Sequence, residues 1–249
     1  MIIYINGDSH SLGHDAVVQG IPCPEDDLDE NWEVWHNWME SMKEKNLEVS
    51  YGNVLAKKLG AVLVCEAESG CSNDSIIDRT LKYLESNTPD FLIIGWSTWE
   101  RETWYWNREP YNFTSSGSDS VHPMLKDFYK QWVIDSNKET VQHQKERDNH
   151  VKIYLLHKLL QSKNIKHLFF NTYNFFFYNV QYKEPRYNWG HYNQNYVDPY
   201  TKNQTYYFWL EQQGFKPSNT EHYHYGADAH QAWAEFLLPK VQSLLTQNG

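Results

Sequence analysis

The chain has 249 residues, which suits one α/β domain and does not demand two. Its formal net charge of −10 argues against a nucleic-acid partner and against anionic membranes, because both attract clustered Lys and Arg. The sequence shows no membrane span and no signal peptide, and its three cysteines are few and odd in number. We therefore expect a cytoplasmic protein.

The predicted elements alternate between strands and helices along the chain. The apolar residues 2–5 favour a buried strand that breaks into a tight turn at Gly7. Further strands are predicted at 61–65, 91–94 and 165–170, and helices at 32–45, 50–59, 72–85, 123–131, 147–161 and 227–245. Strands separated by helices predict a three-layer α/β/α sandwich around a parallel sheet of about five strands.

Two polar segments at opposite ends of the chain suggest a catalytic site. Ser9 lies in the turn Gly7-Asp8-Ser9, and loops at the carboxyl ends of parallel strands are where open α/β sheets bind ligands. A serine there is a candidate nucleophile if a base can reach it. The far end of the chain, from Glu221 to Leu237, offers histidines as candidate bases.

Together these segments resemble the SGNH (GDSL-type) hydrolase superfamily. The resemblance implies a flavodoxin-like fold over residues 1–249 as one domain, with Ser9 as nucleophile and His224 as base. It places an acidic residue three positions before the histidine, where this chain has Glu221 instead of the usual Asp. The implied chemistry is two-step acyl transfer by this triad, with no metal and no organic cofactor.

The same resemblance implies an oxyanion hole, the group of donors that stabilises the charge developing on the ester carbonyl. The backbone N–H groups of Ser9 and Gly70 match two of its donors. The family also places an Asn in the loop after the third strand, where this chain has Thr98. We expect Thr98 or Asn73 to replace it, because loss of one donor typically costs about 10²–10³ in rate.

Two aromatic-rich insertions, at about 99–122 and 172–209, follow strands whose ends should surround Ser9. Rigid rings among amides suit sugar rings, so an O-acetyl group on a carbohydrate is the first candidate substrate. The predicted substrate-binding residues are Trp99, Trp104, Trp106, Trp189 and Arg101. The alternative is that the insertions pack against one another as a local core.

A second function class stays open. The missing Asn and the Glu-for-Asp exchange also suit a catalytically weak protein that binds a glycan or a protein partner. The segments after Gly70 and Gly95 resemble uncharacterised virus-associated SGNH-like proteins, which makes a virion component an alternative role. A metal site is also conceivable but less favoured than structural and catalytic roles for its would-be ligands, which are His222, His224, Asp228 and His230.

Overall fold

The computed structural model describes residues 1–17, 32–115, 121, 123–176, 194–218 and 223–247. Its strands are β1 (Ile2–Gly7), β2 (Val62–Cys65), β3 (Phe91–Trp96), β4 (Glu102–Trp106), β5 (Glu109–Phe113) and β6 (His167–Asn171). Its helices are α1 (Ser9–Leu12), α2 (Trp32–Val49), α3 (Tyr51–Leu59), α4 (Asn73–Ser86), α5 (Lys126–Ser136), α6 (Glu139–Ser162), α7 (Tyr206–Gln212) and α8 (Ala227–Thr246).

Four parallel strands form the main sheet, in the order β2-β1-β3-β6. Strand β1 lies inside it, and Ile3 is paired with Leu63 on one side and Phe91 on the other. Beyond β6, a single parallel bridge joins Phe169 to Tyr196. Within the described residues the sheet thus has four strands, and this bridge lies where a fifth strand would stand.

Both faces of the sheet are buried, because successive side chains of a strand point to opposite faces. Ile3 and Ile5 pack in a core that also includes residues of α3, α7 and α8. Tyr4 points the other way, into a second core with residues of α4 and α6. The predicted α/β/α architecture is therefore confirmed. None of the helices in the described part of the chain is long and apolar enough to cross a membrane.

Helix boundaries follow recognisable capping residues. The Ser50 side chain accepts from the backbone N–H of Asn53 at the start of α3, and Gly60 ends that helix at a φ of 63°. Ser72 caps α4 in the same way, through the N–H of Ser75. These signals explain why the predictions at 50–59 and 72–85 match the observed helices to within a residue.

The insertion at 99–122 contains an antiparallel hairpin that the sequence analysis did not predict. Strands β4 and β5 pair with each other and are joined by the turn Asn107-Arg108. The φ angles of these two residues are 50° and 71°. Two successive positive φ angles fit a type I′ turn, which usually carries Asn-Gly. Because Arg108 occupies the second position in place of glycine, the sequence did not predict this turn.

Candidate active site

The carboxyl end of β1 turns sharply into the single-turn helix α1, which begins at Ser9. The Asp8 side chain caps this helix by accepting from the backbone N–H of His10 at 3.1 Å. A Cβ on Gly7 would lie 2.2 Å from Ser11 Oγ, and a Cβ on Gly95 would lie 2.5 Å from the same atom. The turn therefore packs directly against β3, which fixes the position of Ser9.

Ser9 and His224 are 215 positions apart in the chain but adjacent in the structure. Ser9 Oγ lies 2.9 Å from His224 Nε2, a normal hydrogen-bond distance. Both residues are buried, with exposed fractions of 3% and 7%. The imidazole is thus placed to remove the hydroxyl proton of Ser9, which is the geometry required of a base and its nucleophile.

The carboxylate on the other imidazole nitrogen belongs to Asp15. Asp15 Oδ2 lies 2.8 Å from His224 Nδ1, and Asp15 is itself buried. The sequence analysis assigned this place to Glu221, which lies outside the described residues. The two ring nitrogens of His224 thus face Ser9 Oγ and the Asp15 carboxylate.

The sequence analysis did not identify Asp15, because no motif spacing marks this position. It follows Gly13, which ends α1 at a φ of 80°, and it adopts a positive φ of 60° itself. Aspartate tolerates this conformation better than most residues. A short helix that ends at Gly13, with an acidic residue two positions later, is the signal that was available.

Ser218 holds the two segments that carry the acid and the base. Its N–H donates to the carbonyl oxygen of His224 at 2.7 Å. Its Oγ lies 3.2 Å from the Asp15 carbonyl oxygen and 3.0 Å from that of His224, and it can donate to either. The Ala227 N–H adds a 3.2 Å bond to the Ala16 carbonyl. Backbone contacts thus fix the distance between Asp15 and His224.

Two further histidines lie edge-on to the ring of His224. The centroids of His10 and His14 are each 4.9 Å from the centroid of His224. Burial lowers the pKa of His10 well below its usual value, and the neighbouring His224 lowers it further. A neutral His10 does not oppose the positive charge that His224 acquires when it takes a proton.

His230 and Asp228 do not join a metal site with His224. His230 Nδ1 accepts from the Tyr51 N–H at 3.3 Å, and its Nε2 lies 3.4 Å from the Tyr206 hydroxyl. Burial lowers the pKa of His230 to about 3. Asp228 is exposed in the first turn of α8. His230 is therefore a neutral core residue, and His222 lies outside the described residues.

The loop after β2 lies beside the nucleophile turn. The Glu68 N–H donates to the Gly7 carbonyl at 3.1 Å, and Gly70 follows as an exposed residue with a φ of 78°. Asn73 Nδ2 donates to the Ser97 carbonyl at 3.1 Å and to Asn149 Oδ1 at 2.9 Å. Both of its amide hydrogens are engaged, so Asn73 braces the loop after β3.

Thr98 is the remaining side-chain candidate for an oxyanion donor. It is half-buried, and its hydroxyl oxygen accepts from the Glu100 N–H at 3.3 Å. This bond uses a lone pair of the hydroxyl and leaves its hydrogen able to donate. Of the two side chains, Thr98 thus keeps a hydrogen that can donate, whereas both amide hydrogens of Asn73 are engaged.

Arg101 ties the loop after β3 to the nucleophile turn. Its Nη1 lies 2.9 Å from Ser97 Oγ and 3.4 Å from Asp8 Oδ2. The same nitrogen lies 3.5 Å from the Cys71 carbonyl, at the limit of a hydrogen bond. The Arg101 side chain is 22% exposed, and that of Asp8 is 3% exposed. Arg101 thus neutralises a buried carboxylate next to Ser9, in addition to any contact with substrate.

The predicted tryptophans are differently placed. Trp99 is buried and stacks on Phe176. Trp104 is half-buried among Phe113, Phe128 and Trp132, with centroid distances of 4.2, 4.7 and 5.4 Å. These two rings fill local cores, which was the alternative interpretation. Trp106 is half-buried in β4, and Trp189 lies outside the described residues.

Exposed tyrosines lie instead after β6 and next to His224. Tyr223 precedes His224 directly and is 51% exposed. Tyr173, two residues after β6, is 39% exposed. Both contact Tyr207, whose ring centroid is 4.7 Å from that of Tyr173 and 6.3 Å from that of Tyr223. These rings form a partly exposed aromatic surface beside the base, which we call the tyrosine surface.

No protein-family model and no curated protein sequence matches the chain. Among solved structures, it is similar to a carbohydrate esterase whose active site is described as displaying divergent catalytic and non-catalytic binding functions. That match has 17% identity and a TM-score of 0.49, and it covers 97% of this chain and 64% of the other, which is less than two thirds.

Two other solved structures are similar in the same sense. A Corynascus thermopiles (Myceliophthora fergusii) carbohydrate esterase family 2 enzyme with a carbohydrate-binding domain has 14% identity and a TM-score of 0.44, covering 99% of this chain and 67% of that one. A putative lipolytic protein of the G-D-S-L family from Desulfitobacterium hafniense has 13% identity and a TM-score of 0.27, covering 68% and 76%. The parallel sheet of this chain and the helical layers on its two faces form an α/β/α fold, with Ser9 after β1.

Proposed function

We propose that the chain is a serine esterase in which Ser9 is the nucleophile, His224 the base and Asp15 the acid. The observation that carries this proposal is the continuous hydrogen-bonded series from Ser9 Oγ through both imidazole nitrogens to Asp15 Oδ2, at 2.9 and 2.8 Å. A buried serine, imidazole and carboxylate in this order form a charge-stabilised nucleophile on several unrelated folds.

In the first step, Ser9 Oγ attacks the ester carbonyl while its proton passes to His224 Nε2. Asp15 accepts the hydrogen bond from Nδ1–H, which fixes the tautomer and stabilises the imidazolium. The oxyanion faces the N–H groups of Ser9 and Gly70, with the Thr98 hydroxyl as the third donor. The intermediate then collapses, the alcohol leaves with the proton from Nε2, and an acyl group remains on Ser9.

In the second step, water replaces the alcohol. His224 takes a proton from the water while the water oxygen attacks the acyl carbonyl. His224 then gives this proton to Ser9 Oγ as the ester bond breaks. A carboxylic acid is released, and the triad regains its starting protonation. The neutral state of His10 keeps a second positive charge away from the imidazolium in both steps.

The proposed substrate is a small acyl ester on a carbohydrate, such as an acetylated sugar. The support is the tyrosine surface, because exposed aromatic rings offer flat apolar faces to sugar rings and hydroxyls to their polar edges. Tyr223 holds a positive φ of 56°, a conformation that is uncommon outside glycine and often found at functional sites. Because Tyr223 directly precedes His224, a sugar held on its ring would lie close to Ser9.

The first experiment is hydrolysis of p-nitrophenyl acetate by the wild type and Ser9→Ala. We expect turnover that Ser9→Ala abolishes and that Ser243→Ala, at an exposed serine of α8, leaves unchanged. A folded wild type without turnover on this or any other acyl ester would overturn the esterase proposal.

The second experiment tests the substrate class. Acetate release from acetylated oligosaccharides is compared among the wild type, Tyr223→Ala and Tyr173→Ala, with Tyr105→Ala as the control on the β4–β5 hairpin, where this tyrosine is 66% exposed. We expect the first two variants to raise KM for the oligosaccharide about 10-fold, as befits the loss of about 1.4 kcal/mol of binding. KM for p-nitrophenyl acetate should stay unchanged. Equal effects of all three variants would refute the carbohydrate proposal.

A further inference from the structure

Three ligating side chains converge on one side of the base. Among the His, Cys, Asp and Glu residues that the structure describes, one group is compact enough to hold a metal ion: His14, Asp15 and His224. Their ligand atoms all lie within 4.8 Å of one another. His14 Nε2 is 3.5 Å from Asp15 Oδ1, and His224 Nδ1 is 2.8 Å from Asp15 Oδ2.

These distances suit a small ion. Zinc bonds of about 2.0–2.1 Å in a tetrahedron hold their ligand atoms about 3.3 Å apart. The separations from Asp15 are 3.5 Å from Oδ1 to His14 and 2.8 Å from Oδ2 to His224, and the ligand atoms of all three residues lie within 4.8 Å of one another. Shifts on the order of an ångström, which bring one Asp15 oxygen toward both rings, would complete three of the four positions, with water as the fourth. Two imidazoles and one carboxylate also match the ligand preference of zinc better than that of calcium or magnesium.

The site is placed to receive a cation from solvent. The side chains of His14 and Asp15 are 16% and 11% exposed, so a hydrated ion reaches His14 first and the buried part of the site second. The Asp15 carboxylate supplies negative charge, and the chain as a whole carries a net charge of −10, which raises the local concentration of cations.

We propose that His14, Asp15 and His224 form a zinc site whose occupation switches the esterase off. The binding half of this proposal stands on geometry alone, whereas the inhibitory half rests on the proposed function. Nothing in the acyl-transfer mechanism uses His14, and its side chain reaches the same carboxylate as the base.

The inhibition follows from the tautomer of His224. In the active arrangement the ring proton is on Nδ1, facing Asp15, and the lone pair of Nε2 faces Ser9 Oγ. Zinc binds through the lone pair of Nδ1, so the single ring proton must move to Nε2. The neutral imidazole keeps one proton throughout, but Nε2–H now donates toward Ser9 and cannot accept the Ser9 proton. Chelation of the ion restores the active tautomer.

Calorimetric titration of metal-free protein with ZnCl2 tests the binding half. We compare the wild type, Ser9→Ala, His14→Gln and the control His143→Gln, which removes an exposed histidine of α6. We expect one zinc per chain for the wild type, Ser9→Ala and His143→Gln, and at least 10-fold weaker binding for His14→Gln. No zinc binding by the wild type, or equal affinity of His14→Gln and the wild type, would overturn the proposal.

Hydrolysis of p-nitrophenyl acetate, measured relative to the zinc-free rate of each variant, tests the inhibitory half. We expect zinc to inhibit the wild type and EDTA to reverse it, with at least 10-fold more zinc needed for His14→Gln than for His143→Gln. Zinc that binds with the calorimetric affinity but leaves the rate unchanged would refute the switch. A wild type that binds zinc but has no esterase activity would refute the proposed function and leave the metal site standing.

Discussion

The identity of the acid can be tested by exchanging one atom of Asp15. Asp15→Asn keeps the shape of the side chain and its tolerance for the observed φ of 60°, so the fold should persist. The amide can instead donate a hydrogen bond to His224 Nδ1, which now lies 2.8 Å from the Asp15 carboxylate. That exchange favours the tautomer with the proton on Nε2, and Ser9 then has no base.

The expected loss of kcat follows from the loss that the same exchange causes in other triads. Replacing the acid by its amide lowers kcat by about 10⁴, because the imidazole is held in the wrong tautomer. A 10⁴-fold loss corresponds to about 5.4 kcal/mol of lost transition-state stabilisation. Since Asp15 is buried and hydrogen-bonded to the ring, we expect Asp15→Asn to fall near this value.

The assay is kcat on p-nitrophenyl acetate together with the melting temperature. Glu221→Gln is the matched control, because it makes the same exchange at the position that the sequence resemblance assigned to the acid, and we expect less than a threefold change. If Asp15→Asn keeps most of its kcat while Glu221→Gln loses it, the assignment of Asp15 is refuted.

Three more outcomes are expected. Gly95→Ala should lower the free energy of chemical unfolding by about 1–3 kcal/mol, because its Cβ would lie 2.5 Å from Ser11 Oγ and 2.7 Å from Phe170 Cζ. An unchanged free energy of unfolding would show that the packing behind Ser9 is loose. Thr98→Val should lower kcat about 100- to 1,000-fold while Thr98→Ser retains it, and equal rates would exclude the hydroxyl as an oxyanion donor. His230 has a folded pKa of about 3, below the unfolded value near 6.5, so the unfolded chain binds more protons as pH falls. Lowering the pH from 7 to 5 should therefore cost about 2 kcal/mol of unfolding free energy at this histidine, and His230→Gln should flatten that slope; an equally steep slope in the variant would contradict it.

The sheet was largely predictable from the sequence. Residues 2–5, 61–65 and 91–94 are apolar runs and 165–170 is mostly apolar, and parallel strands covered on both faces require such runs. The hairpin at Asn107 was not predictable, because its turn lacks the glycine that normally marks it. Helix α6 begins at Glu139, earlier than the predicted start at 147. Its first turns are rich in charged residues, so the helical spacing of apolar residues is hard to see there.

The site was only partly predictable. Ser9 follows from its position at a strand end and His224 from the family resemblance, and the structure brings the two side chains together. Asp15 could not be found in this way. Its contact with the His224 ring depends on its own positive φ and on the hydrogen bonds of Ser218, which hold the two segments together. The tryptophans were chosen by composition, which does not distinguish a ring in a core, such as Trp99, from an exposed ring, such as Tyr223.

Covalent labelling tests the central claim most directly. The wild type is treated with a fluorophosphonate, which reacts with activated serines, and the modified residue is located by peptide mass spectrometry. We predict one adduct per chain, on Ser9, formed much more slowly by His224→Gln and Asp15→Asn and absent from Ser9→Ala. A folded wild type that stays unlabelled, or that is labelled at another residue while Ser9→Ala still hydrolyses esters, would contradict the assignment of Ser9 as the nucleophile.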